Sequence, residues 1–272
     1  MFKLKKTTRR DAIKVGFVSI ASAAVSIPKS EAAIRPKAKG ETKVVYFGGD
    51  GLHNGLGQRQ YIYNVLRKTD WRYIVPLDAR YLTPELLSDT DLLIMTRCGP
   101  VEIWSPEPVM EGIPPTDGFM SAELEEAIVD NVKNRGMGFM SLHCTIWNSG
   151  YPKFMELLGI KPMMHGPVQN VHLHNFNRNH PISQGIEDFD LELDENFGVE
   201  LINKNAIPLY ETTGHDDKRH DIAGWCLEQG KGRVVGLVAG HTVAAWTHPI
   251  YRQLYWRGAH WAMKREIPTY EG

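Results

Sequence analysis

Two histidines follow short apolar runs that predict β-strands. The run Val44 to Phe47 leads through a glycine-rich loop to His53. The run Gly138 to Leu142 leads directly to His143. Imidazole titrates near neutral pH and also ligates metals, so it can act as an acid, a base or a ligand. Because ligands of open parallel sheets bind beyond the carboxyl ends of the strands, we expect His53 and His143 to face one crevice.

Tryptophans fall on the loops predicted at the same edge of the sheet. Trp104 lies in the proline-rich stretch 99–118, Trp147 follows soon after His143, and Trp246 lies beyond a later strand. Sugar sites often use aromatic rings as stacking platforms. We therefore expect Trp104, Trp147 and Trp246 to bind a substrate together with His53. Core packing is the alternative for the tryptophans, and a flexible turn is the alternative for the His53 loop.

The secondary structure predicted to position these residues differs between the two halves of the chain. Apolar runs and helical periodicity alternate up to about residue 158, and shorter alternating runs dominate from 168 to 238. Ser121 is a candidate N-cap for a helix that reaches Asn134, and Gln229 to Gly232 has the composition of a hairpin turn. The sequence predicts a single α/β domain with a β-rich C-terminal extension.

The N-terminal segment has the features of an export signal. Basic residues precede an apolar stretch from Val15 to Ile27, which is short for a membrane span, and Ser30 and Ala32 have the small-x-small spacing of a cleavage site. Arg9 and Arg10 resemble a twin-arginine signal, although that signal usually has phenylalanine at the position of Ala12. We predict a signal peptide at 1–32, a linker at 33–42, and a periplasmic or extracellular mature protein. A general secretory leader is the alternative.

Charge and cysteine content exclude several classes of protein. Without the leader, 24 basic residues stand against 30 acidic ones, and no basic cluster remains that would suit nucleic acid or an anionic membrane. Three cysteines on separate apolar segments do not indicate a disulfide framework. The chain has no complete dinucleotide fingerprint, phosphate loop, His-Glu-x-x-His or Gly-x-Ser-x-Gly motif. A small neutral ligand is the better expectation.

Several motifs in fixed order resemble the ThuA-like (trehalose utilisation) family over residues 43 to 265. They are the glycine-rich strand Gly136 to His143, the His180-Pro181-Ile182 element that ends at Gly185-Ile186, Asp194-Glu195-Asn196-Phe197, Gly230-Lys231-Gly232-Arg233-Val234, Gly240-His241, and Trp261-Ala262. The resemblance implies a flavodoxin-like, class I glutamine amidotransferase-like fold, with a mostly parallel sheet flanked by helices. The predicted domain is 43–265.

In that fold a cysteine nucleophile occupies a bend between a strand and a helix. Here the bend presents His143, with Cys144 beside it, and the surroundings lack the Gly-x-Cys-x-Gly pattern that such a tight bend needs. The sequence therefore does not predict a glutamine amidotransferase.

The resemblance instead implies an enzyme, a hydrolase or lyase, that acts on 3-keto-glycosides made by a partner sugar dehydrogenase. The implied catalytic residues are His143, Glu195 and His241, with Glu195 as the base. The two histidines would be metal ligands, or a proton donor and a carbonyl polariser. Candidate metal ligands are His143, His241 and His53, and the metal would be a divalent ion such as zinc.

A non-catalytic sugar-binding protein on the same fold is the alternative function, because fold alone does not separate the two. At each site residue a structural role is also open. His143 could satisfy backbone groups, and Glu195 could pair with Arg233. His172 and His174 share one face of a predicted strand, which permits metal binding, although most such pairs are surface residues. The sequence also leaves open a homo-oligomer.

Overall fold

The structure is a computed structural model that describes residues 35–50, 53, 55–77, 79–98 and 119–272. The predicted signal peptide at 1–32, the start of the linker and the loop that carries Trp104 lie outside the described residues. Pro36–Gly272 forms one compact unit. Within the described ranges, no helix has the length and apolar character that crossing a membrane requires.

The described chain contains eleven strands and six α-helices. The strands are β1 (Lys43–Gly48), β2 (Arg72–Ile74), β3 (Leu92–Thr96), β4 (Gly138–Leu142), β5 (Ile160–Pro162), β6 (Val168–His174), β7 (Phe189–Glu195), β8 (Val199–Leu201), β9 (Ile207–Gly214), β10 (His220–Gln229) and β11 (Gly232–Leu237). The helices are α1 (Gly55–Leu66), α2 (Pro84–Leu87), α3 (Ala122–Asp130), α4 (Pro152–Leu158), α5 (Val243–Thr247) and α6 (Pro249–Ala262).

One half of the sheet is parallel, and its central strands are buried on both faces. Its strands lie in the order β2-β1-β3-β4-β11, and every neighbouring pair runs parallel. All five residues of β3 and of β4 are buried. Continuous apolar runs of this kind are typical of parallel strands that pack against helices on both faces. The parallel half aligns the carboxyl ends of β1, β3, β4 and β11 at one edge.

The other half of the sheet is antiparallel, in the order β11-β10-β9-β6-β7. The mixed sheet corrects the expectation of a mostly parallel one. The physical reason lies in the connections, because the two residues Gly230 and Lys231 that join β10 to β11 permit only an antiparallel pair. Gly230 has φ +60°, the left-handed backbone that a tight hairpin turn requires. The hairpin predicted here is confirmed.

The local sequence determines where helix α3 begins and where the chain leaves it for the sheet. Ser121 is its N-cap, and the Ser121 side chain accepts a hydrogen bond from the backbone N–H of Leu124 at 3.2 Å. The helix widens into a π-helical turn at Asn131–Arg135, which stops at Gly136 with φ +98°. The chain then enters β4, the strand that leads to His143.

Candidate active site

His143 occupies the bend that follows β4. It begins a 3-10 turn, His143–Ile146, and its own φ is +45°, which is unusual for a residue with a side chain. The imidazole has no exposed surface. Strained residues of this kind persist only where the surroundings hold them, and they cluster at functional sites.

The hydrogen bond of His143 fixes which ring nitrogen carries the proton. Nδ1 lies 2.9 Å from the Val238 carbonyl oxygen, so Nδ1–H must be the donor. Burial lowers the pKa of His143 to about 3, so the ring is neutral. Nε2 therefore carries a lone pair, and this buried atom has no hydrogen-bond partner among the described residues. A buried acceptor without a partner is what a metal ion or a substrate hydroxyl group would complete.

His53 approaches His143 from the loop after β1. The ring centroids of His53 and His143 are 5.0 Å apart, in an edge-to-face arrangement. Asp50 Oδ1 accepts hydrogen bonds from His53 Nδ1 at 2.7 Å and from the His53 backbone N–H at 3.1 Å. Burial acts to lower the pKa of His53, but the hydrogen bond to Asp50 and the neighbouring Cys98 together raise it to about 10. Asp50 thus holds the ring so that Nε2 is left for the site.

His241 and Glu195 complete the group. His241 follows Gly240 after β11, and its ring centroid is 5.4 Å from that of His143. Glu195, the last residue of β7, places Oε2 3.7 Å from His143 Nε2 and Oε1 3.3 Å from His241 Nδ1. Burial acts to raise the pKa of Glu195, but the opposing effects, of which the hydrogen-bonding contact with His241 is the largest, outweigh it and lower the pKa. Glu195 is therefore an ionised carboxylate between two imidazoles.

Asp194 fixes the loop that carries His241. Its carboxylate is fully buried and accepts hydrogen bonds from the backbone N–H groups of Gly240 at 3.1 Å and His241 at 3.0 Å. It also accepts one from the Glu195 backbone N–H at 2.7 Å. Burial raises the pKa of Asp194 to about 6, against the effect of these bonds. The sequence motif marks Asp194, but its positioning role is visible only when the two loops meet.

Two further residues lie at the site: Phe197, which belongs to the same sequence motif as Glu195, and His165, which has no clear signal in the sequence. His165 Nδ1 lies 3.4 Å from Glu195 Oε1. The Phe197 ring packs 5.9 Å from the His143 ring and 5.2 Å from the His165 ring, measured between centroids. His165 sits on an irregular segment before β6, where neither periodicity nor strand ends predict a site.

The predicted tryptophans differ in their placement. The partly buried Trp147 ring lies 5.7 Å from the Phe197 ring, so it borders the site through Phe197. Trp246 is 2 % exposed, donates a hydrogen bond to the Gly240 carbonyl oxygen at 2.7 Å and stacks on Tyr255. Trp246 thus packs in the core and supports the Gly240 loop, which corrects its expected role in substrate binding. Trp104 lies outside the described residues.

Three imidazoles could hold one metal ion. One ligand nitrogen each from His53, His143 and His241 lies within 4.8 Å of the other two. A tetrahedral zinc ion with Zn–N bonds of about 2.0–2.1 Å holds its ligands roughly 3.4 Å apart, so modest side-chain movement would close the site. The lone pair on His143 Nε2 and the Asp50 contact to His53 Nδ1 fit such an ion, which would displace the proton that His53 Nε2 carries at neutral pH. Three protein ligands would leave a fourth position open, as in catalytic zinc sites.

A second donor set borders this one on the side of β3. Asp50, His53, Cys98 and Cys144 also lie within 4.8 Å of one another. Asp50 Oδ2 accepts a hydrogen bond from the Cys98 backbone N–H at 3.2 Å. Hydrogen bonding to Cys144 and to His53 lowers the pKa of Cys98 to about 7, while burial raises that of Cys144. Cys144 is therefore a poor candidate for a shifted nucleophile, because its thiol remains protonated.

The arrangement as a whole defines a class of protein: a mixed α/β fold with a carboxylate and three imidazoles at the carboxyl edge of its parallel strands. The sequence profile of the ThuA family, described as trehalose utilisation, matches residues 43–262, and the chain belongs to this family.

The alternative pairing of Glu195 with Arg233 is not seen among the described residues, since Arg233 pairs with Glu228.

Solved structures share the fold at low sequence identity. A ThuA-like protein from Parabacteroides merdae aligns with a TM-score of 0.65 and 14 % identity, over 84 % of this chain and 92 % of its own. A ThuA-like protein from Bacteroides uniformis has a TM-score of 0.61 and 15 % identity, over 84 % and 94 %. A cytoplasmic protein from Salmonella typhimurium has a TM-score of 0.54 and 15 % identity, over 82 % and 98 %. No curated protein sequence matches the chain.

Proposed function

We propose that this protein is an enzyme that cleaves 3-keto-glycosides. The observation that carries the proposal is the ionised Glu195 carboxylate held between the imidazoles of His143 and His241. A ketone at C3 acidifies the proton at C2, and a carboxylate of this kind is suited to remove it. The substrate class itself comes from the family resemblance.

The reaction would proceed by elimination followed by addition of water. Glu195 takes the proton from C2, the C1–O bond breaks, and the departing oxygen receives a proton from His241. Water then adds at C1 of the unsaturated ketone and C2 regains a proton. The net change is hydrolysis of the glycosidic bond, with one water consumed and the C3 ketone retained.

The other two imidazoles have different parts in this scheme. His143 Nε2 carries no proton, because the proton is on Nδ1, so His143 acts as a ligand or acceptor and not as the proton donor. His53, held by Asp50, lies beside His143, with the two ring centroids 5.0 Å apart. A divalent cation on His53, His143 and His241 would supply a Lewis acid for the C3 ketone oxygen. His241 would either help to hold such a cation or donate the proton to the departing oxygen, because an imidazole nitrogen that binds a metal has no proton to give.

A ligand would reach the site through its most exposed residues. His143 has no exposed surface, whereas the side chains of His241 and His165 are 29 % and 40 % exposed. A sugar would therefore meet His241, Glu195 and His165 first, and the partly exposed Trp147 ring, which packs on the buried Phe197 ring, is the candidate stacking surface.

A matched pair of substrates tests the proposal. Purified protein would be analysed for bound metal and then incubated with a 3-keto-glucoside and with the same glucoside unoxidised, while release of the leaving alcohol is followed. We expect release from the oxidised sugar alone, reduced at least a hundredfold in E195Q and unchanged in E200Q, which alters an exposed glutamate on β8. Turnover of neither sugar, with binding retained, would favour the non-catalytic sugar-binding protein.

Three other expectations remain proposals. The parallel strand order β2-β1-β3-β4-β11 corresponds to the 2-1-3-4-5 order of flavodoxin-like sheets, which supports a relationship to class I glutamine amidotransferases. Export through residues 1–32 predicts that a fused reporter is retained in the cell when Arg9 and Arg10 become lysine. A functional link to a sugar dehydrogenase follows from the substrate, because a 3-keto-glycoside must be made by oxidation of a glycoside.

A further inference from the structure

A second cluster of histidines lies on the antiparallel half of the sheet. His174 is the last residue of β6, Glu211 is on β9 and His220 is the first residue of β10. One ligand atom of each lies within 4.8 Å of the other two. The scheme proposed for the first site uses none of these residues.

Strand register brings this cluster together. His174 pairs with Glu211 across β6 and β9, and Thr213 pairs with His220 across β9 and β10. Residues opposite one another in an antiparallel pair share a face, as do residues two apart on one strand, such as Glu211 and Thr213. The backbone therefore presents two imidazoles and one carboxylate side by side.

Contacts within the cluster hold the donors in position. Thr213 Oγ1 lies 2.8 Å from His174 Nε2 and 3.2 Å from His220 Nδ1, so one hydroxyl group bridges both rings. His220 Nε2 lies 2.5 Å from Glu211 Oε2. Asn175 Nδ2 donates a hydrogen bond to the same carboxylate oxygen at 2.8 Å, which orients Glu211 as an outer partner orients a metal ligand.

The cluster is open to solvent and separate from the first site. The side chains of His220 and Glu211 are 50 % and 29 % exposed. Val168, which pairs with Glu195 at the far end of β6, is six residues from His174, a separation of about 20 Å along an extended strand. An ion could reach this face without passing the buried His143.

We propose that His174, Glu211 and His220 bind one borderline divalent cation of the Zn²⁺ class. Two imidazoles and a carboxylate are a ligand set that zinc accepts, with water in the remaining position. Hard cations such as Mg²⁺ and Ca²⁺ prefer oxygen ligands and would bind poorly. The ion would link β6, β9 and β10, the three central strands of the antiparallel half, and so stabilise the folded chain.

Zinc titration of metal-stripped protein against a chromophoric chelator tests the proposal. We expect the wild type to bind one more zinc ion, with a Kd of about 10 μM or tighter, than the H174A/H220A variant does. The matched control is H215A, which removes another exposed histidine of the same region without touching the three donors. E211Q, which keeps the shape of the side chain, should weaken this site at least tenfold.

Thermal unfolding provides a second measure of the same site. Zinc at a hundred times the Kd should raise the Tm by about 5 °C or more through this site, and the rise should be absent in H174A/H220A and present in H215A. Equal Tm values in the presence of EDTA would show that all variants fold, and E211Q carries the test if the double variant does not. An unchanged zinc stoichiometry in H174A/H220A, or an equal loss in H215A, would overturn the proposal.

Discussion

Asp50 should control how tightly His53 binds a metal ion, although Asp50 itself would not be a ligand. Its two oxygens have separate partners: Oδ1 accepts from His53 and Oδ2 accepts from the Cys98 backbone N–H at 3.2 Å. In D50N the amide oxygen can keep the contact to His53 Nδ1. The amide nitrogen must then face the Cys98 N–H, so two donors meet in a buried place.

The separate partners of the two Asp50 oxygens set the expected losses in metal affinity and in the free energy of unfolding. Loss of a charged partner to a ligand histidine typically weakens metal binding 10- to 100-fold, which corresponds to about 1.4–2.7 kcal/mol. The unpaired Cys98 N–H should separately lower the free energy of unfolding by about 1–3 kcal/mol, with or without metal. D50A should weaken metal binding further, because nothing then fixes the orientation of the His53 ring.

Two measurements separate the effects. Chelator competition gives the zinc affinity, and urea unfolding in EDTA gives the free energy of unfolding of the metal-free protein. D190N is the matched control, since Asp190 is 59 % exposed and contacts His172 and His215 instead of the site. Zinc affinity in D50N equal to that of wild type, with the protein folded, would refute the role assigned to Asp50.

Three further predictions concern the support of the site and the core. D194A leaves the backbone N–H groups of Gly240 and His241 unpaired, so we expect the free energy of unfolding in urea to fall by about 2 kcal/mol and turnover to fall with it; a change below about 0.5 kcal/mol would contradict this. Burial lowers the pKa of His260, so the folded state takes up a proton less readily than the unfolded chain, and stability falls as the pH drops below about 6.5. H260F should show a smaller loss between pH 7 and pH 5, and equal pH dependence would be the contrary result. G236A would place a Cβ 2.2 Å from the Trp225 ring and should cost about 1–3 kcal/mol or more; a stable variant with an unmoved indole would show that the packing is misread.

Much of the first site is predictable because strand ends are visible in the sequence. His143 and His53 follow apolar runs, and the rule that parallel strands deliver their ends to one edge brings them together. His241 and Glu195 are predicted from the family motifs instead. Strand ends alone could not place Glu195, because β7 belongs to the antiparallel half and reaches the site only through the pairing of β6 with β7.

The remaining features depend on pairing and packing that local sequence does not encode. The short alternating runs of the second half fit several registers, so the mixed sheet and the bonds from Asp194 to the His241 loop emerge only in the folded chain. Trp246 illustrates the same limit. It follows a strand end, as a site residue would, but α5 turns its ring inward, where the indole N–H bonds the Gly240 carbonyl oxygen.

The proposed role of Glu195 is to remove a proton from C2 of an oxidised sugar. The direct measurement is exchange of the C2 proton of a 3-keto-glucoside for deuterium in D₂O, followed by NMR. Wild type and E200Q should catalyse the exchange, and E195Q should slow it at least a hundredfold while remaining folded. Exchange at the wild-type rate in folded E195Q would show that Glu195 is not the base.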